Sequence, residues 1–121
     1  MPKIIAASDV GLVLLPAHPW WRFQCPTKLI ELLALGKPVV SSNTPGIRWI
    51  TNHTLNVVFL EDVIMRISPE SFRRAILRAL SHRDKDIVLK ARSKIVRRFS
   101  AKQNAFKLHR LLTSIPRNSQ A

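Results

Sequence analysis

The sequence is poor in cysteine, glycine and acidic residues, and it contains no tyrosine. Its single cysteine, Cys25, excludes an internal disulfide and is typical of a reducing compartment. The Met-Pro-Lys start leads into a short, Asp-interrupted apolar run that lacks the pattern of a signal peptide. No window approaches the roughly 20 apolar residues that span a membrane. These absences predict a cytoplasmic protein whose membrane contact, if it has one, is peripheral and on the inner face.

The sequence offers no arrangement for metal binding or thiol catalysis. No histidine is placed to activate Cys25, so we interpret this cysteine as a small loop residue rather than a nucleophile. The histidines have no second ligand at zinc-type spacing, and we predict no metal site. They are His18, His53, His82 and His109.

The most informative stretch is CPTKLIELLALGKPVVSS, residues 25–42. Pro26 suits the first position of a helix, where its missing N–H costs nothing. The run KLIELLAL is rich in good helix formers, and Gly36 stands where a left-handed residue commonly ends a helix. Two valines and two serines then indicate a short buried strand. The stretch predicts a helix, a glycine stop and a strand, which is half of a βαβ unit.

Two other segments complete a small parallel sheet. Residues 9–16, DVGLVLLP, form an apolar run that a proline ends, as expected for a parallel strand buried on both faces. We predict strands at about 9–15, 38–42 and 55–60. The predicted fold class is therefore α/β, a short parallel sheet flanked by helices, with a helical C-terminal third.

Lys28 and Glu31 interrupt the apolar pattern of the first helix. They are three positions apart, hence neighbours on one face, and they lie at the carboxyl end of a strand, where open α/β sheets bind ligands. Unsatisfied first-turn amides suit a phosphate, and a carboxylate behind them suits a ribose diol. The alternative is a Lys–Glu pair on a solvated helix face, worth about 0.2–0.5 kcal/mol. The residues alone leave both interpretations open.

Residues 7–16, ASDVGLVLLP, and residues 26–40, PTKLIELLALGKPVV, together resemble the donor-binding half of GT-B glycosyltransferases. They are most similar to the large retaining family called group 1 or family 4. In that family an A-D-hydrophobic-P strand leads, through a variable loop, into a helix ending E-x-x-A-x-G-x-P-V-V. The resemblance implies a Rossmann-like half domain and transfer of a sugar from a nucleotide diphosphate sugar to an acceptor.

The resemblance also implies roles for residues of the helix. Glu31 falls on the glutamate that binds the donor ribose. Lys28 and the first-turn amides around Thr27 would meet the diphosphate. Pro26 and Lys28 match a subgroup whose helix begins S-P-x-K. The donor is a substrate, so no cofactor is implied.

The loop that follows resembles the family less closely. Residues 44–47 stand where the family usually carries a Gly-Gly pair near the donor sugar and phosphates. Gly46 leaves the backbone room to approach a ligand, and Arg48 is either an anion clamp or a solvent-facing arginine. Phe23 and Trp49 occupy positions where the family commonly has glutamates.

The chain is also shorter than the enzyme that the resemblance implies. At 121 residues it is one domain at most. It lacks the acceptor-binding domain and the early donor-domain strands, so we expect no catalytic residue here and no activity from the chain alone. We assign residues 1–115 to a single partial Rossmann-like nucleotide-sugar-binding domain and residues 116–121 to a polar tail. The expected partner is a second chain or a missing N-terminal domain.

Three helices are predicted in the second half. Ser68 and Pro69 are a good cap and first position for one, a second runs from about Asp84 to Arg98, and residues 100–103, SAKQ, form a capping box for a third. The second helix should face inward through Ile87, Val88, Ala91, Ile95 and Val96. The third carries an apolar stripe of Ala105, Leu108, Leu111 and Leu112.

Positive charge is concentrated in this helical half. Residues 66–121 hold fifteen Lys and Arg against three Asp and Glu, a net of +12, whereas residues 1–65 have a net of +1. Such a surface suits nucleic acid or an anionic membrane, and no nucleic-acid-binding motif favours the first. Besides the glycosyltransferase interpretation, the sequence leaves open a non-catalytic interaction or regulatory remnant of the fold and a basic nucleic-acid-binding protein.

Overall fold

Three short strands form a parallel sheet whose spatial order follows the chain. The computed structural model describes residues 2–16, 18–52, 54, 56–60 and 68–116. In it, β1 (Gly11–Val13) pairs with β2 (Val39–Ser42), which pairs with β3 (Val57–Leu60). The expected mixed α/β class and parallel sheet are confirmed, although each strand is shorter than predicted. The proposed tail from residue 117 onward lies outside the described residues.

Both valines of the central strand β2 are fully buried, and the side chains of its two serines form additional hydrogen bonds with the segment of β1. The Ser42 hydroxyl accepts a hydrogen bond from the amide of Leu15 at 2.8 Å and donates to the carbonyl of the same residue at 3.1 Å. The buried Ser41 hydroxyl donates to the carbonyl of Val13 at 3.2 Å. Side chains therefore hold the two strands together beyond the point where the backbone ladder ends.

Helices cover the sheet on both faces, as predicted. Their ranges are α1 (Pro2–Ala7), α2 (Thr27–Ala34), α3 (Pro45–Thr51), α4 (Pro69–Ser81), α5 (Lys85–Phe99) and α6 (Ala101–Ser114), with a 3₁₀ turn at Pro19–Trp21. On one face, α2, α3 and α5 share a core with the strands, and on the other α4 packs on β2 and β3. The first core contains Val13, Leu29, Leu32, Leu33, Val39, Ile47, Ile50, Val57 and Ile95.

Helix α2 ends as its sequence predicts and begins one residue later. Pro26 is extended (φ −70°, ψ 118°) and precedes the helix as its cap, rather than occupying its first position. Gly36 adopts φ +71°, its amide donates to Leu33 and the next amide, of Lys37, donates to Leu32. These two bonds satisfy the last carbonyls of α2.

The other predicted helices form with small differences. Hydroxyl and carboxylate caps hold the starts of α3, α4 and α5, at Thr44, Ser68 and Asp84. The loop predicted to begin at residues 44–47 is instead the seven-residue helix α3 (Pro45–Thr51). The predicted capping box of α6 is wrong, because the helix starts after Ser100 without a hydrogen bond from that side chain.

Strand β1 is not buried on both faces, contrary to the prediction. Leu12 is 44% exposed, while its neighbours Gly11 and Val13 are buried. By register Leu12 shares a face with Val40 of β2, where α4 covers β2 and β3 but does not shield Leu12. In the described part of the chain no strand lies beyond β1, so it is an edge of the sheet.

The C-terminal helices are also less buried than their apolar patterns predict. Ala91 and Ile95 of α5 are buried as expected, but Val96 is about half exposed. In α6 every described residue is exposed, including the whole predicted stripe. Helix α6 leaves the body of the protein after α5 and presents its apolar residues to solvent.

The left-handed glycine after α2 generates a stability prediction. Gly36→Ala should destabilise the protein by about 1–2 kcal/mol, because an L residue is strained at this φ and a Cβ would lie 2.6 Å from Cγ1 of Val88. Chemical denaturation measures the change. The matched control is Asn52→Gly, at the other left-handed helix end (φ 40°), where stability should stay equal or rise. Equal loss at both positions would contradict this explanation.

The edge position of β1 generates a second stability prediction. Val13→Thr should cost about 1–3 kcal/mol, because it buries a hydroxyl in the apolar core. Leu12→Thr, one residue away on the open face, should cost less than about 1 kcal/mol. Urea unfolding of the two variants compares them directly, and a larger loss for Leu12→Thr would show that this face is covered.

Candidate functional site

Two helices begin side by side at the carboxyl end of the sheet. Strand β1 leads through the loop 14–26 into α2, and β2 leads through Asn43 and Thr44 into α3. Because β1 and β2 are parallel neighbours, the first turns of both helices lie at the same sheet edge. This edge is where open parallel sheets place their ligands, and it contains all the predicted site residues.

The packing of α2 decides which of its side chains face solvent. Leu29, Leu32 and Leu33 are buried against the sheet and α5. On the opposite side of the helix, Thr27, Lys28 and Glu31 are exposed.

The predicted alternative of a Lys28–Glu31 ion pair does not form. Among the described residues, side-chain ion pairs join Arg73 with Glu70 and Arg83 with Asp9. The Lys28 ammonium and the Glu31 carboxylate are therefore both exposed and not engaged with each other.

The start of α2 also retains unused amide donors. The amide of Leu29 donates to the carbonyl of Pro26 at 3.1 Å. In the described part of the chain, the amides of Thr27 and Lys28 have no such acceptor, as is usual for the first turn of a helix. The first turn of α2 thus combines two amide donors, the partial positive charge of the helix start and an exposed lysine, which favours an anion.

The start of α3 differs, because its amides are already occupied. The Gly46 amide donates to the carbonyl of Arg22 at 2.9 Å, and the amides of Ile47 and Arg48 donate to the side chain and the carbonyl of Thr44. A Cβ on Gly46 would lie 2.5 Å from the carbonyl oxygen of Gln24. The close approach that Gly46 permits is therefore to the protein's own loop.

Arg48 lies at the same sheet edge with its guanidinium already in contact with neighbours. Its Nε donates to the side-chain oxygen of Asn43, and its Cζ lies 4.8 Å from the centre of the Phe59 ring. The side chain remains exposed. Contacts with Asn43 and with Phe59 of β3 thus hold the Arg48 guanidinium in place. Because the side chain is exposed, its other N–H donors remain accessible to solvent.

The aromatic loop between β1 and α2 is largely solvent-exposed. Trp20 is 85% and Phe23 73% exposed, although His18 accepts a hydrogen bond from the Trp20 amide and stacks beside its ring. The loop therefore offers flat apolar surfaces next to the start of α2. Cys25 is also exposed.

A basic groove between α5 and α6 is a feature that our sequence analysis did not single out. It has a volume of about 650 Å³. The sequence contains a signal for this groove. Its α5 cations follow Lys90 by 4, 7 and 8 positions, which places them on one side of a helix. The groove is lined by Asn52, Leu89, Lys90, Ser93, Lys94, Arg97, Arg98 and Lys107.

Comparison with known proteins adds no assignment. No family model matches the chain, and neither the curated proteins nor the solved structures give a significant match. Within the described residues, no group of three or more His, Cys, Asp and Glu side chains could hold a metal ion, and no helix is long and apolar enough to cross a membrane.

The contact between Gly46 and the aromatic loop can be tested directly. Gly46→Ala should displace residues 22–24, because the added methyl meets backbone atoms rather than a flexible side-chain end. Hydrogen exchange should become faster in this loop and in the first turn of α3. Strand β3 is the internal control and should exchange at its original rate; faster exchange there would indicate general unfolding instead.

Proposed function

We propose that this chain is the donor-binding portion of a GT-B glycosyltransferase of the retaining group 1 or family 4 type. The observation that carries the proposal is the start of α2. The exposed Glu31 carboxylate and Lys28 ammonium lie on one side of this helix, and two first-turn amides have no acceptor among the described residues, all at the carboxyl end of β1. The strand–helix–glycine–strand order around this face is the one that the family resemblance implies.

The proposed binding mode follows from the charges. The donor diphosphate would lie against the amides of Thr27 and Lys28, with the Lys28 ammonium as counter-charge. Glu31 lies one turn further along the helix and would accept hydrogen bonds from the two ribose hydroxyls. Fixed donors at this point would stabilise the negative charge that develops on the diphosphate as it leaves the sugar.

The first turn of α3 would then form the wall of the site rather than its anion contact. Its amides are occupied by Arg22 and Thr44, so Gly46 would contribute by letting the aromatic loop lie close. Arg48 is the remaining cation at this edge, and Phe59 and Asn43 hold it in place. Trp20 belongs to the aromatic loop and would be available to cover the base or the sugar of the donor.

The open edge of β1 is where we propose that the rest of such an enzyme attaches. The amide of Gly11 donates to Pro38, at the start of β2. Because alternate residues of a parallel strand bond to opposite sides, the N–H and C=O of Leu12 point to the open edge. A strand from a second chain or from another domain could pair there and lie beside Leu12. The acceptor-side groups would come with it, which is why this chain alone should be inactive.

Nucleotide binding tests the donor-site proposal. Titration calorimetry of the whole chain should detect binding of UDP or GDP and of the matching nucleotide sugars. Glu31→Ala should weaken binding about 10- to 100-fold, the effect of a hydrogen bond to a charged group of about 1.5–3 kcal/mol.

The control is Glu70→Ala, which removes another exposed carboxylate, paired with Arg73, from the first turn of α4. The Glu70→Ala variant should bind the nucleotides as tightly as the original chain does. Binding that falls equally in both variants would reflect net charge and not a ribose contact. Absence of binding by a folded chain would favour the non-catalytic remnant of this fold.

A further inference from the structure

Helix α6 is amphipathic, and its apolar side is exposed and belongs to no hydrophobic core in the described part of the chain. Ala101, Ala105, Leu108, Leu112 and Ile115 recur at intervals of four and three, which places them in one row along the helix. The larger side chains of this row, together with the adjacent Leu111, are 57–63% exposed. Four large aliphatic side chains on one free helix face are a strong departure from an ordinary surface.

The opposite side of α6 and the adjoining surface of α5 are basic. Lys102, Lys107 and Arg110 lie on this side of α6, together with the exposed ring of Phe106. Residues 85–116 contain nine Lys and Arg against the single carboxylate of Asp86, a net of +8.

The neighbouring groove continues this basic surface. Its cations are Lys90, Lys94, Arg97, Arg98 and Lys107, and no acidic residue lines it. Arg98 is fixed by stacking 4.2 Å from the Trp49 ring and by donating to the carbonyl of Trp49, and Lys94 donates to the carbonyl of Asn52. Part of the positive charge is therefore held in place by the body of the protein.

We propose that α6 is an interfacial membrane helix that binds anionic lipid surfaces. Its row of leucines and isoleucine would enter the boundary between head groups and acyl chains, while the basic side of α6 and the groove bind lipid phosphates. An apolar face beside a Lys- and Arg-rich face is the pattern of helices that lie in the membrane interface. Each basic side chain close to an anionic leaflet adds to the electrostatic attraction.

The combination of apolar and basic surfaces favours lipid over other occupants. Nucleic acid would use the cations but would leave Leu108, Leu111, Leu112 and Ile115 exposed to water. A second copy could bury these side chains, but each copy carries a net charge of +13, and like charges that close repel. An anionic bilayer satisfies both features at once.

Vesicle co-sedimentation of the whole chain tests the proposal, with no nucleotide present. The chain should bind vesicles of phosphatidylcholine mixed with phosphatidylglycerol and should not bind phosphatidylcholine alone. Leu111→Ser should weaken the partitioning roughly 50-fold, because it removes three aliphatic carbons that each contribute about 0.8 kcal/mol when buried.

The matched control is Leu77→Ser, which removes an exposed leucine from α4 and should leave partitioning unchanged. Both sites are exposed, so folding should survive, and circular dichroism checks it. Hydrogen exchange of the unsubstituted chain gives a second readout, since the amides of α6 should become protected when anionic vesicles are added.

Three outcomes would overturn the proposal. Vesicle binding that Leu111→Ser does not weaken would show that only charge is involved and that α6 does not insert. Binding to duplex DNA without binding to anionic vesicles would assign the basic surface to nucleic acid. A dimer in sedimentation velocity that Leu111→Ser dissociates, with no vesicle binding, would assign the apolar row to a second copy.

Discussion

The burial of one face of α2 is the constraint on which the rest of this structure depends. Leu29 and Leu33 are completely buried between the sheet and α5, so the helix cannot rotate about its axis without exposing them. This fixed rotation turns Lys28 and Glu31 outward. The same contact fixes α5, because Ile95 belongs to the same core. One packing interaction thus orients the candidate site and the basic helices together.

The order and type of the elements could be predicted because strong local signals mark them. Gly36 takes the left-handed conformation that its position between helix and strand indicates, and Ser68 caps its helix as expected. The errors arise where burial depends on parts of the fold that a local pattern does not contain. Leu12 continues an apolar run, but its exposure depends on how far α4 and the sheet extend. The apolar residues of α6 recur at helical spacing, which correctly predicts a helix. That spacing does not indicate whether another part of the protein packs against them.

The candidate site was predictable in position but not in detail. Strand order and helix starts put Thr27, Lys28, Glu31 and Gly46 at one sheet edge, which is a consequence of parallel topology. The sequence did not show that the backbone of residues 22–24 closes the start of α3, because that contact is non-local and involves no side-chain pattern. The groove was missed for the opposite reason. Its cations have a clear helical spacing, but the general charge excess of the helical half masks that spacing.

The consecutive order of the strands also bears on how the chain folds. Partner residues are separated by 28 positions between β1 and β2, Gly11 with Val39, and by 18 between β2 and β3, Val39 with Val57. Sheet formation therefore needs only closures of moderate length, whereas α5 must return across more than half the chain to reach α2. Long closures are entropically the more costly. Docking of α5 on α2 should accordingly be the last step of folding, so the basic surface assembles only after the sheet and α2 have formed.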